Sequence, residues 1–99
     1  VRLSELRPRW LNDTVFIFLC PHCQKRWLSC KSAPMSTHEQ MDLFIEAMKD
    51  EDLDTVVPTR QEFAWSINTR DFETMSVHPS IDASPSGDWH GFIKEGAIA

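Results

Sequence analysis

No apolar run in this sequence approaches the ~20 residues needed to span a bilayer as a helix. The longest, Val15 to Cys20, has the length of a strand. No secretory signal is expected either, because Arg2, Arg7 and Arg9 have no long apolar stretch after them. Cysteine is scarce and odd in number: there are three, two of them at Cys-x-x-Cys spacing. That argues against a secreted disulfide framework and for a reducing compartment. A basic excess is also missing. The net charge is −5, and a uniformly acidic chain repels nucleic acid at long range, so DNA or RNA binding is disfavoured. Tyrosine is absent altogether, yet four Trp and six Phe point to a folded aromatic core and not to a disordered tail. There is no internal repeat and no linker.

The 99 residues suffice for one domain and are too few for two, so 1–99 reads as a single unit. A domain this small buries only about 60–65% of its unfolded surface, and a bound metal would reinforce its thin core. Charge is unevenly spread. Residues 1–31 carry six basic and two acidic side chains, whereas residues 39–54 carry seven acidic and one basic. Such runs usually form solvated faces. They also offer contact surfaces for a partner of opposite charge.

Along the chain, Pro8 breaks any helix near the start, Trp10 and Leu11 read as a packing anchor, and Asn12-Asp13 signals a turn. Val15 to Leu19 is β-branched or aromatic on both faces, the pattern of a strand buried on two sides. Cys20-Pro21-His22-Cys23 follows as a tight turn, and Arg26 to Cys30 returns as a second strand, giving a hairpin with the Cys pair at its tip. Ser36-Thr37-His38-Glu39 has the form of a capping box. Behind it, Met41, Phe44, Ile45 and Met48 recur at helical spacing, which predicts an amphipathic helix over about 37–49 with that stripe in the core. Further strands are expected at Val56-Val57, Phe63 to Ile67, Phe72 to Val77 and Trp89 to Ile93, with a turn at Lys94-Glu95-Gly96 into Ala97-Ile98, an acidic loop over 50–54 and a Ser/Pro/Gly-rich loop over 81–88. The sum is an α+β domain, with a small, mostly antiparallel sheet of about five short strands and one helix.

The chemistry gathers at the Cys pair. Two thiolates on a tight turn grip one tetrahedral zinc ion with Zn–S near ~2.3 Å, and the turn's own amides stabilise their charge. One pair is half a site. Candidates for the rest are Cys30, His22, His78, Asp88 and His90. Cys30 reads first as a small core residue. His22 would point outward from the knuckle, and His38, in the first helical turn, reads as surface. His90 is the strongest, lying where a loop enters a strand between a Trp and a Gly-Phe pair. Asp88 and His90, two apart on a strand, point to the same side and can reach one ion. A thioredoxin-like redox pair should precede a helix. Here a strand with Trp27 and Leu28 follows, which disfavours that reading.

The joint order of Leu6-Arg7-Pro8-Arg9-Trp10-Leu11, Cys20-Pro21-His22-Cys23, Asp71-Phe72-Glu73-Thr74, His78-Pro79-Ser80-Ile81, Trp89-His90-Gly91-Phe92-Ile93 and Gly96 resembles a family of small bacterial and phage proteins. Some of its members are mislabelled as ammonia monooxygenase. Relatives are encoded beside bacterial ubiquitin-like conjugation genes, where a peptidase role has been proposed. The resemblance spans nearly the whole chain except residues 31–62. It implies a β-rich fold in which Cys20, Cys23 and His90 meet at a metal. Many relatives carry a further Cys just before that histidine, where this chain has Gly87 and Asp88. The fourth ligand is therefore open between Asp88, Cys30 and water.

Two functions are expected from this. The first is a zinc-binding, phage-encoded interaction protein. It would act in the cytoplasm of a bacterial host cell on a host protein, a host-defence component among the candidates, through the acidic helix and loop. The alternative is a zinc-dependent hydrolase, a peptidase related to ubiquitin-like processing. Three ligands plus water make a Lewis-acid site. Glu73, Asp82 and Asp88 are the available general bases. Ser80 is a conceivable nucleophile with His90 as its base, a role His90 cannot take while bound to zinc. The simpler reading of Ser80 and Asp82 is turn chemistry after Pro79.

Overall fold

A computed structural model describes residues 1–49, 56–84, 87 and 89–99. Among the described residues, eight short strands and one α-helix make an α+β fold. The strands form two sheets instead of the single small sheet expected. In the first, β1 (Arg9–Trp10), β2 (Val15–Leu19), β3 (Trp27–Lys31) and β4 (Val56–Val57) lie in that order. The β1-β2 and β2-β3 pairs are antiparallel, and β3-β4 is parallel. A parallel neighbour needs a crossover, and helix α1 (Thr37–Met48) lies between β3 and β4 in the chain. In the second sheet β5 (Ser66–Ile67), β6 (Val77–Asp82), β7 (His90–Lys94) and β8 (Ala97–Ile98) form an antiparallel meander. The β7-β8 turn places Glu95 and Gly96 at φ 48° and 77°, the two consecutive positive values that a tight hairpin of matching twist demands.

The first sheet is the middle layer, which explains why β2 is apolar on both faces. Phe16, Phe18, Leu28 and Cys30 face a cluster completed by Met75, Val77, Ile81 and Ile93 of the second half. Ile17 and Trp27 face the other way, against Phe44 of α1 and Val56. Trp10 is the anchor its sequence context suggests. Its indole N–H donates to the Arg70 carbonyl at 3.1 Å, and the Arg70 guanidinium lies 4.0 Å over its ring.

Three expectations need correction. First, Phe72 to Val77 is not a strand. Residues 72–74 turn, held by the Asp71 carboxylate accepting from Glu73 N–H, and β6 starts at Val77 and runs through Pro79 to Asp82. Pro79 is tolerated because β5 pairs only with Val77 and His78, so no ladder bond is demanded of the missing N–H. Second, Phe63 to Ile67 is strand only at its end, because Trp65 donates its N–H to the Lys31 carbonyl of the first sheet. Third, α1 is rotated relative to the predicted stripe. Phe44 is buried, but Met41 and Ile45 are 41% and 56% exposed, while Gln40 is buried.

Polar contacts set that rotation. The Gln40 side chain donates to the carbonyls of Met35 (3.0 Å) and Thr59 (2.7 Å) and accepts from Thr59 N–H (2.8 Å). Buried Lys31 donates to Thr59 Oγ1 (2.7 Å) and the Arg60 carbonyl (2.6 Å) from the other side. Arg9 donates to the Ala47 carbonyl. Apolar periodicity cannot see such bonds. The helix start follows its capping signal: the Ser36 hydroxyl accepts from Glu39 N–H at 3.1 Å and donates to the Glu39 carboxylate at 3.0 Å. Gln40→Leu removes three of these bonds at once. Its expected cost is about 3 kcal/mol in urea unfolding, since stranded buried partners are expensive. Met41→Gln on the exposed face should stay within about 0.5 kcal/mol. Equal effects of the two would show that the network does not set the helix face.

Candidate metal centre

Cys20 extends the β2-β3 ladder by one bond, its N–H donating to the Arg26 carbonyl at 2.9 Å. The chain then reverses through residues 21–23, and Gln24, at φ 55°, donates its N–H back to the Cys20 carbonyl at 2.8 Å. This turn brings the Cys23 thiol within hydrogen-bonding reach of Cys20. It also aims main-chain N–H groups of Cys23 and His22 at the Cys20 sulfur, and Trp89 adds a third from the far end of the chain. Burial pushes the Cys20 thiol up from its ordinary value, the three amides pull it down, and the neighbouring Cys23 side chain raises it again. The sulfur is thus shielded from water and surrounded by donors suited to a thiolate. Such a donor set fits a soft cation that replaces the thiol protons.

Trp89 reaches this position because of Gly91. A Cβ at Gly91 would run into the Trp89 indole and the Ala99 carbonyl. With no side chain there, the indole lies across the backbone and meets Phe18 edge-on, with ring centroids 6.2 Å apart and planes at 84°. The Trp-x-Gly pattern therefore builds one wall of the cysteine site.

Among the described residues no three His, Cys, Asp or Glu side chains gather closely enough to hold an ion. Asp88 lies outside the described residues. His90 is exposed and pairs across the strands with Asp82. His22 is exposed at the hairpin tip, and His78 is exposed on β6. His38 is exposed on the helix, 3.4 Å from Asp42. Cys30 is fully buried opposite Phe16. It stands four residues along β3 from Arg26, the partner of Cys20, which at ~3.3 Å per residue is about 13 Å. One ion cannot span that distance. Cys30 behaves as the core residue of its simpler reading. Of the hydrolase candidates, Glu73 stands apart, whereas Ser80 and Asp82 lie two apart on β6 with His90 opposite Asp82. Asp82 accepts from the Ser84 N–H (2.9 Å) and hydroxyl (2.5 Å) as a local turn. Glu73 lies 3.9 Å from Arg2 at the other side of the second sheet. The Ser80 carbonyl accepts from the Trp65 indole N–H at 3.4 Å.

Sequence reasoning missed the Trp89 amide and the buried Lys31. The Trp-x-Gly spacing was a usable signal for the first. Nothing in the residue order distinguishes Lys31 from a surface lysine. The chain matches no family model, no curated protein and no solved structure.

Cys30 yields a metal-independent test. Burial holds its thiol far above the ordinary 9.0, only partly opposed by Lys31. The unfolded chain releases this proton above about pH 9 while the folded chain keeps it. The stability contributed is therefore complete below pH 9 and is lost as pH rises beyond it, by up to about 1.4 kcal/mol per pH unit. Urea unfolding of the wild type and Cys30→Ala at pH 8, 9.5 and 10.5 should show the wild type losing stability faster. Parallel curves would remove the buried thiol as the cause.

Proposed function

We propose that the protein is a zinc-stabilised interaction module whose metal is held by Cys20 and Cys23 and whose contact face is the exposed side of α1. The observation that carries the metal is the convergence of His22, Cys23 and Trp89 N–H groups on the Cys20 sulfur. A bound zinc would cross-link the β2-β3 hairpin to the loop before β7, joining the two sheets of a small core. His90 and Asp88 are the proposed completing ligands, His90 having to turn toward the pair from its exposed position, and the zinc serves structure. The contact face is supported by the rotation of α1, which leaves Met41 and Ile45 exposed beside Asp42 and Glu46. Apolar anchors bordered by carboxylates, Glu46 paired with Lys49 at 3.0 Å and Asp42 beside His38, suit a protein partner that brings its own basic groups to the rim. The acidic loop 50–54, also proposed for this surface, lies outside the described residues. By its family resemblance the protein is phage-encoded and its partner is a protein of the bacterial host cytoplasm. Among the described residues no helix is long and apolar enough to cross a membrane.

Native mass spectrometry of untagged protein, with zinc X-ray absorption on the same sample, tests the metal. One zinc per chain with two sulfur neighbours is expected, and a metal-free chain would end this reading. Asp42→Lys with Glu46→Lys should leave folding intact and abolish capture of the host partner. Unchanged capture would move the interface elsewhere.

A further inference from the structure

Strand β6 changes neighbours half-way along. Its first residues, Val77 and His78, pair with β5, but β5 then leaves, because Trp65 crosses to bond the Lys31 carbonyl of the first sheet. On its other side β6 pairs with β7 on either side of a register shift: Val77 opposes Ile93, and beyond the shift Ile81 opposes Gly91, Asp82 opposes His90, and Ala83 N–H donates to the Trp89 carbonyl. Residues in an antiparallel ladder alternate in the direction of their main-chain groups. Ile81 and Ala83 therefore point theirs at β7, while Ser80 and Asp82 point theirs away. The Trp65 indole N–H on the Ser80 carbonyl, at a long 3.4 Å, confirms that direction. Among the described residues no strand pairs with β6 on this side beyond His78, so the N–H groups of Ser80 and Asp82 and the Asp82 carbonyl face no neighbouring strand.

These groups border a cleft of about 660 Å³, within the ~300–1,000 Å³ of clefts that bind ligands. Its walls are mostly apolar, with Leu28 and Pro58 across from β6 and Phe63 and Trp65 stacked edge-on at 4.6 Å. Of the charged residues at the cleft, Arg60 is matched by Glu62 at 3.0 Å. Exposed Asp82 sets the remaining sign.

We infer that this cleft takes an extended segment of a partner protein as an added strand on β6, pairing with Ser80 and Asp82, its inward side chain apolar and a basic residue beside Asp82. Main-chain bonds at alternate positions would supply affinity and the apolar cleft would supply selectivity. The surface is separate from α1, and its use does not depend on the metal.

The probe is a random heptapeptide library panned on the full-length protein, followed by synthesis of the enriched peptides. Alternating apolar residues with one Lys or Arg should be enriched, and binding should shift the Ser80 and Asp82 amide resonances. N-methylating the peptide at every second residue should weaken binding about tenfold per blocked bond, and at the intervening residues hardly at all. That readout leaves the protein untouched, so it stands even if Ser80→Pro fails to fold. A folded Ser80→Pro should lose about tenfold as well. The inference is overturned by no enrichment, by an N-methyl scan without period two, by shifts confined to α1, or by self-association of the chain that Ser80→Pro abolishes.

Discussion

Chelating zinc from the wild-type protein is expected to lower its unfolding midpoint to that of Cys20→Ser, and to leave Cys20→Ser itself unmoved. A ligand bound only by the folded state stabilises it by RT ln(1 + [L]/Kd), about 4 kcal/mol when free zinc exceeds Kd a thousandfold. For a chain of this size that is a fall on the order of 20 °C. The serine hydroxyl can still accept from the amides of His22, Cys23 and Trp89 that face the Cys20 sulfur. Loss of the thiolate alone should thus disturb the metal-free fold little. Cys23→Ser should behave in the same way, and Cys30→Ser should retain its response to the chelator because Cys30 lies far along the hairpin. Thermal unfolding with and without chelator on the four proteins checks this. If chelation shifts wild type and Cys20→Ser equally, the metal is held elsewhere or not at all.

The second large effect is expected from Gly91→Ala. One methyl group at a buried glycine is ordinarily a small change. Here it meets the Trp89 indole and the Ala99 carbonyl, and Ala99 is bonded to Phe92 in both directions, at 2.9 and 3.0 Å. The carbonyl can retreat only by breaking that pair, and the indole must move as well. Overpacking of this kind costs about 3 kcal/mol, equivalent to roughly 12–24 °C here. The strain falls on the Trp89 main chain as well, whose N–H faces the Cys20 sulfur, so zinc affinity should fall too. Trp89→Leu in the same chain should restore part of the loss, because it removes the atom group in collision. A double-mutant cycle by urea unfolding, with zinc titration of each protein, gives the coupling. Additive losses would show that the two residues do not share the space described.

The strands and helix divide unevenly between what local pattern reveals and what it hides. Val15 to Leu19 announces a strand covered on both faces, and the structure covers it on both. The Cys pair at a hairpin tip was legible, because a turn between two paired strands is determined by neighbouring residues. So was the cap at Ser36. Two readings that relied on apolar spacing or on proline failed. Met41 and Ile45 belong to a plausible stripe, but Gln40 wins the buried face through bonds to Met35 and Thr59, residues outside the helix. Pro79 suggests a strand end, but it sits where one edge of β6 has lost its neighbour.

The sequence alone determined a small α+β chain with scarce cysteine, one capped helix and a thiol pair on a turn, because each is written within a few consecutive residues. Only the tertiary structure decided that the strands divide into two sheets and that Trp89, 69 positions after Cys20, donates to its sulfur. It also decided that Lys31 lies in the interior and that β6 ends with an open edge beside a cleft. Those features arise from hydrogen bonds and close packing between distant segments. Such partners are selected by the space left after every other side chain has been placed, and no local pattern encodes that space.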